Sequence, residues 1–236
     1  MSRSFQIVED KIEEAEFFLS KLRLDDIDIP QFNLKESSFN LSAFLSAARS
    51  ITFCLQASLN DIEGFKEWYE AQQAILAANA LARFFLEARN LSQKVGYYPL
   101  RGGRVHRDAS GARRVELYFA PLEDNGLAPE ADVVTACEAH FRNLLEVAVD
   151  CYKTFGSIID PEQYYTVESM KKLGFTVEDL EVNLGFPPGW TEVTGLSIKD
   201  RIALLRDHAP KVSVDWIFNK YLGTNRYGIP EELGDA

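Results

Sequence analysis

Arg89, Asn90 and Lys94 stand near the end of an apolar stretch, Phe84-Phe85-Leu86-Glu87-Ala88-Arg89-Asn90-Leu91-Ser92-Gln93-Lys94-Val95-Gly96, with the second cation five residues after the first. These residue types suit chemistry at a phosphodiester. Cutting RNA without a metal requires one group to take the proton of the 2′-hydroxyl, another to protonate the leaving oxygen, and cations to hold charge on the phosphorane. Arg89 fits the last role, because a guanidinium meets phosphate oxygens two at a time and stays charged. Asn90 suits orienting a phosphate or capping a neighbouring chain. Lys94, with a reference pKa of about 10.4, holds charge but is a poor base unless burial lowers that value considerably. The trio is electrostatically equipped and short of a proton shuttle.

Three histidines compete for the missing role. His106 follows Gly102-Gly103-Arg104-Val105, a turn and strand, and is the best candidate base if the chain folds it back toward Arg89 and Lys94 or presents it across a dimer interface. His140 lies near the apolar face of a long helix and reads as a partly buried core histidine. His208, ahead of Ala209-Pro210, reads as a helix C-terminal cation favoured by the dipole. Around His106 the cations gather: Lys94, Arg101, Arg104, Arg107, Arg113 and Arg114, with Asp108 the sole acid up to Arg114. Arg101, Arg104, Arg107, Arg113 and Arg114 are the candidate RNA-binding set. The competing reading is a solvated hairpin whose charges block edge pairing.

Helices must position these groups. Residues 6–22 read as an amphipathic helix with Ile7, Ile12, Ala15, Phe18, Leu19 and Leu22 near one side. Pro30 breaks the chain. Asn40 is a plausible cap for the next helix, whose Leu41, Phe44, Leu45, Ala48, Thr52, Leu55 and Leu59 keep three-and-four spacing. A third helix follows Gly64, with Phe65, Trp68, Tyr69, Gln72, Ile75 and Leu76 on its apolar side. A fourth carries Leu81, Phe84, Phe85, Ala88 and Leu91, with Asn79 as its cap. Gly96, Pro99 and Gly102-Gly103 end helical structure. Val105 to Arg107 and Arg113 to Phe119, joined through residues 108–111, read as a β-hairpin. A long helix at about 131–154 carries Val134, Cys137, Phe141, Leu144, Leu145, Ala148 and Tyr152.

The last 80 residues or so are punctuated by Gly and Pro. Asp160-Pro161 reads as an N-cap and N1 proline opening a helix through Lys172, and Thr176 and Ser197 each precede an acid by three residues, as capping boxes do. Residues 167–184 have the rhythm of a helix-turn-helix, but Glu178, Asp179 and Glu181 on its second helix would face phosphates, which argues against DNA reading. The Trp68-Tyr69 pair reads as core, and Arg49 and Arg89 read equally as snorkelling or ion-paired cations.

The string Phe44-Leu45-Ser46-Ala47-Ala48-Arg49-Ser50-Ile51-Thr52-Phe53, then Gly64-Phe65 with Trp68-Tyr69, then Arg89-Asn90, resembles uncharacterised bacterial members of the HEPN group. The likeness covers roughly residues 5–95 and extends to the long helix. In that family a helix carries arginine, a polar residue and, a few residues on, histidine, a pair resembling a metal-independent RNA-cutting site; Lys94 occupies the histidine position here. The resemblance implies a mainly α fold, an up-and-down antiparallel bundle; with the hairpin read above as an insertion at about 97–120 the bundle takes residues 1–155, and residues 156–236, which the likeness does not cover, read as a short-helix region packed on the bundle or as a small second domain. It further implies a homodimer with Arg89, Asn90 and Lys94 on a shared cleft, no cofactor or metal, and a place in a bacterial toxin-antitoxin or defence system, with an antitoxin of the nucleotidyltransferase type as partner.

Bulk properties set the outer limits. With 236 residues and 46% hydrophobic content the chain buries a core. The N-terminus reads as no signal peptide, no apolar run approaches ~18 residues, and Cys54, Cys137 and Cys151 form no metal or disulfide pattern, so a cytoplasmic location without membrane association is expected. The 25 Lys and Arg against 36 Asp and Glu leave a net charge of −11, so contact with RNA has to be local. Two functions are expected from this reading: a catalytically reduced module that binds RNA or a protein, or an active metal-independent endoribonuclease using Arg89, Lys94 and His106.

Overall fold

In the computed structural model, residues 5–24, 33–107, 111, 113–122 and 128–230 are described below. Pro30 and the turn residues 108–110 lie outside them. The chain is mainly helical with one two-stranded antiparallel sheet. Residues up to Val147, together with Ile217–Gly223, form one unit; Ala148–Trp216 and the residues from Thr224 form another.

In the first unit, α1 (Gln6–Leu22) buries Val8, Ile12, Ala15, Leu19 and Leu22, alternate steps of four and three that keep one face turned inward. It packs along α2 (Leu34–Leu59), whose Leu41, Phe44, Leu45, Ala48, Ile51, Leu55 and Leu59 are buried. This helix starts one to two turns before the expected cap at Asn40. Asn33 caps it instead, its side chain accepting from the Lys35 and Glu36 N–H groups at 3.0 and 3.4 Å. Nothing in Lys35-Glu36-Ser37-Ser38 breaks a helix, and Glu36 adds an acid at the positive end of the dipole.

Gly64, at φ +79°, turns the chain into α3 (Phe65–Ala78), and Asn79 caps α4 (Ala80–Val95) by accepting from the Ala82 N–H at 3.1 Å. The expected apolar stripe of α3 is only partly used. Phe65 and Tyr69 are buried, but Ile75 is 63% exposed.

The sheet pairs β1 (Leu100–Arg107) with β2 (Arg113–Phe119). β1 begins five residues before the expected strand and runs through Gly102-Gly103, where helix-ending turns were anticipated. The register explains this: Gly103 lies opposite Leu117, and a Cβ there would meet the Glu116 carbonyl oxygen at 3.0 Å and the Leu117 side chain at 3.1 Å. Glycine is what lets the two strands close at this point.

The core is an aromatic cluster drawn from several elements, including α5 (Val133–Ile159), capped by Asp132, and α10 (Asp215–Leu222). Phe44 meets Phe85 and Phe141 edge-on, both at 6.3 Å between centroids; Phe119 of β2 meets Phe84 and Phe85; Phe141 meets Tyr221. Each such ring contributes about 1.5–3 kcal/mol by burial, and edge-to-face pairing adds about 0.5–1.5 kcal/mol. At the rim, Arg23 donates to Glu138 at 2.9 Å and to the Tyr221 hydroxyl at 2.6 Å, and that hydroxyl donates to Glu16 at 3.1 Å.

In the second unit Asp160 caps α6 (Pro161–Tyr164) with proline in the first turn, as read from the sequence, but the helix stops at Tyr165 rather than Lys172. Thr166 then caps α7 (Val167–Leu173) by accepting from the Ser169 N–H, so a second local cap outcompetes continuation. The capping boxes Thr176/Asp179 and Ser197/Asp200 open α8 (Val177–Asn183) and α9 (Ile198–His208). Tyr165, Met170, Val177, Leu180, Ile202 and Leu205 form the core of this unit. Arg226 donates to the fully buried Asp160 at 3.1 Å and pairs with Asp215, and Tyr227 donates to Asp160 at 2.7 Å.

Candidate functional site

Arg89 sits one turn after Phe85 on α4, half-buried. Its Nη1 donates to the Asn90 carboxamide oxygen at 3.4 Å, and its Nε is buried with no hydrogen-bond partner among the described residues. A buried N–H left without an acceptor costs free energy. Lys94 is exposed in the last turn, and Gly96 at φ +68° ends the helix. A polar seam missed in the sequence joins α4 to α2. The Ser42 and Ser92 hydroxyls are 2.6 Å apart, and the Gln93 amide donates to Ser46 at 3.0 Å. The four-residue spacing of Ser42, Ser46 and Ser50 was its sequence signal. Arg49 is spent on its own helix, donating to Thr52 at 3.1 Å and lying over the Phe53 ring.

The hairpin sorts the arginines by face. On β2 the buried residues are Val115, Leu117 and Phe119; the alternate positions Arg114, Glu116 and Tyr118 are half-buried on the other face. Cross-strand partners share a face, so Arg104, opposite Glu116, and His106, opposite Arg114, join that second face. Arg107 lies opposite Arg113, and its Nη1 donates to the Gly111 carbonyl at 2.7 Å. Arg101 is the extra residue of a bulge between the Leu100–Phe119 and Gly102–Tyr118 pairs. It lines an open cleft of about 460 Å³ with Gly102, Gly103, Tyr118 and Phe119.

His106 has found a partner on its own hairpin. Its Nε2 lies 3.6 Å from Glu116, whose other oxygen accepts from the Tyr118 hydroxyl at 2.6 Å. Its Nδ1 is buried without a hydrogen-bond partner among the described residues. Among the described residues no hydrogen bond or ion pair joins His106 to Arg89, Asn90 or Lys94. The chain thus displays two groupings, Arg89/Asn90 with Lys94 on α4, and the cations with His106 on the hairpin.

His140 is buried, as the sequence suggested, but its neighbour was not foreseeable: the imidazole stacks on Phe85, centroids 4.5 Å apart and planes 6° from parallel. Burial pushes its pKa down to about 4. His208 ends α9 with Nδ1 2.8 Å from the Leu204 carbonyl, beside Trp190, which is itself stacked on Phe186 at 3.9 Å.

On α8 one acid is buried and two stay at the surface, so like-charge repulsion still argues against DNA reading there. Glu181 is fully buried and, with Glu178, pairs with Arg201, while Asp179 closes the Thr176 capping box. In addition, α8 carries no Lys or Arg. Among the described residues no helix is long and apolar enough to cross a membrane, and no group of three or more His, Cys, Asp or Glu side chains is arranged to hold a metal ion.

Residues 27–101 are similar to the family described as bacteriophage lambda protein ea47. The match takes in α2, α3, α4 and the first residues of β1, about a third of the chain. No curated protein and no solved structure matches the chain.

Proposed function

We propose that this chain is a HEPN-like helical-bundle protein whose hairpin binds RNA, acting as a catalytically reduced module of a bacterial toxin-antitoxin or defence system. The observation that carries this reading is the cross-strand register: Arg107 faces Arg113, and Arg104 and Arg114 share the other face of the same hairpin, in a chain of net charge −11. Like charges placed directly opposite on a sheet are destabilising by a few tenths to about 1 kcal/mol. A polyanion laid along the hairpin turns that cost into attraction. Arg101 and Arg104 add two exposed cations with no hydrogen-bond partner among the described residues. That a bacteriophage protein gives its name to the similar family fits a role between phage and bacterial host.

The test is RNA binding by the wild type and by Arg101→Ala with Arg104→Ala across a salt series. The double variant is expected to bind more weakly and to flatten the log K against log salt slope by about 2. An unchanged affinity and slope would assign the hairpin to a protein contact, for which an antitoxin-type partner is the candidate.

A second reading, an active metal-independent endoribonuclease, is favoured by the half-buried Arg89 and Asn90 side by side on α4 with Lys94 exposed in its last turn. In this reading Arg89 and Lys94 hold the phosphate, and a base must come from His106 or from a second subunit. Cleavage of labelled RNA in EDTA by wild type, with loss in Arg89→Ala, supports it; inert, nontoxic wild type leaves the binding module.

The dimer belongs to the same proposal. Residues 71–82 carry no charge, and Ala71, Ala74, Ile75, Ala77 and Ala78 are exposed on the second half of α3. Two copies of an acidic chain meet at lowest electrostatic cost on such a face.

A further inference from the structure

We propose that the cleft beside the β1 bulge is a subsite for one unpaired nucleotide, with the base on the ring of Tyr118 and the phosphate on Arg101; this rests on the RNA reading above. The bulge is what builds it. An extra residue in one strand bends the pair and re-aims a side chain. Here the extra residue is Arg101, between the Leu100–Phe119 and Gly102–Tyr118 pairs, and its guanidinium is brought to the cleft that Tyr118 lines.

The floor is bare backbone. Gly102, opposite Tyr118, stands at φ +152°, a conformation that side-chain-bearing residues rarely adopt, and it and Gly103 bring no side chain to the cleft they line. The cleft, about 460 Å³, is of the size that takes small ligands. Pro129 and Phe119 supply apolar wall.

Tyr118 is held in place for stacking. Its hydroxyl donates to Glu116 at 2.6 Å, and the other Glu116 oxygen lies 3.6 Å from His106 Nε2, so the tip of the ring is tied, and Tyr118 lines the cleft. A tyrosine fixed in this way stacks on any base without reading its edges. A paired base is already stacked on its neighbours within a duplex, so the ligand is a single strand or a nucleotide end.

The experiment compares binding of a labelled 12-nucleotide single-stranded RNA, an abasic strand of the same length, a duplex of the same length, and AMP, to the full chain as wild type, Tyr118→Phe, Tyr118→Ala and Arg101→Ala. Tyr118→Ala is expected to weaken the single strand about tenfold or more while leaving the abasic strand and the duplex unchanged. Tyr118→Phe, which keeps the ring, stays within about threefold of wild type. Arg101→Ala weakens single strand and abasic strand alike. Equal losses in Tyr118→Phe and Tyr118→Ala, or equal losses on the abasic strand, would overturn the subsite in favour of a hydroxyl that merely braces the hairpin. If wild type binds no RNA of any kind, the RNA reading falls; AMP binding lost in Tyr118→Ala would then retain the cleft as a nucleotide site, and no AMP binding would remove it as well.

Discussion

The imidazole of His140 lies flat on the ring of Phe85, 4.5 Å away, and Phe85 stands one helical turn before Arg89. A neutral imidazole is thereby built into the core of the first unit beneath the half of α4 that carries the candidate phosphate-binding group. Burial lowers its pKa from 6.5 to about 4. Below pH 6.5 the unfolded chain therefore takes up a proton that the folded chain refuses. Stability from this group is whole above about 6.5 and drains away as the pH falls toward 4, by at most about 3 kcal/mol. Amide exchange of α4 and α5 in wild type should accelerate over that window more than in His140→Leu, which has no proton to gain. Parallel pH profiles for the two proteins would count against it.

Arg113 offers a separation of stability from binding. It opposes Arg107 across the hairpin, so Arg113→Thr is expected to stabilise the sheet by about 0.2–1 kcal/mol. The same change should weaken RNA binding and reduce the salt slope by about 1. Hairpin amide exchange and a salt titration read the two effects independently, and a variant that loses stability as well as affinity would refute the electrostatic account.

On α3, Ile75 is 63% exposed within the uncharged stretch. Ile75→Glu should raise the dimer dissociation constant at least tenfold, by placing two desolvated carboxylates near the symmetry axis. Light scattering across a dilution series measures this. A wild type that stays monomeric at high concentration removes the dimer.

Glu181 governs the acid response of the second unit. Burial alone would raise the pKa of its carboxyl, but donors from Thr191, Gly189 and Arg201 outweigh burial and hold it at about 2. Its contribution is complete above the ordinary carboxylate range and is lost as the pH falls from about 4.5 through 2. Glu181→Gln should destabilise α8 and α9 by a few kcal/mol at pH 7, because the Gly189 N–H then faces an amide NH2 and Arg201 loses the negative charge it pairs with. The difference between variant and wild type should shrink at pH 2, and a constant difference would contradict it.

Much of the framework was legible along the chain. The caps at Asn79, Asp160, Thr176 and Ser197 were readable because a cap is made by a side chain with N–H groups two or three residues away. The faces of α1 and α2 followed from spacing alone. The start of α2 was misplaced because Asn33 and Asn40 are equally good caps, and the long helix expected after Pro161 divided because Thr166 was not weighed as a second one.

What the sequence by itself determined is therefore local: mainly helical structure, the hairpin, the Arg89-Asn90-Lys94 grouping and the concentration of cations on the two strands. Only the tertiary structure decided that His106 meets Glu116, that Arg107 faces Arg113, that Arg101 is the bulged residue beside Tyr118, and that His140 covers Phe85. The first three depend on strand register, where a slip of one residue reverses which side chains share a face. The fourth pairs residues 55 positions apart, and no periodicity in a single chain encodes which ring packs on which across a close-packed core.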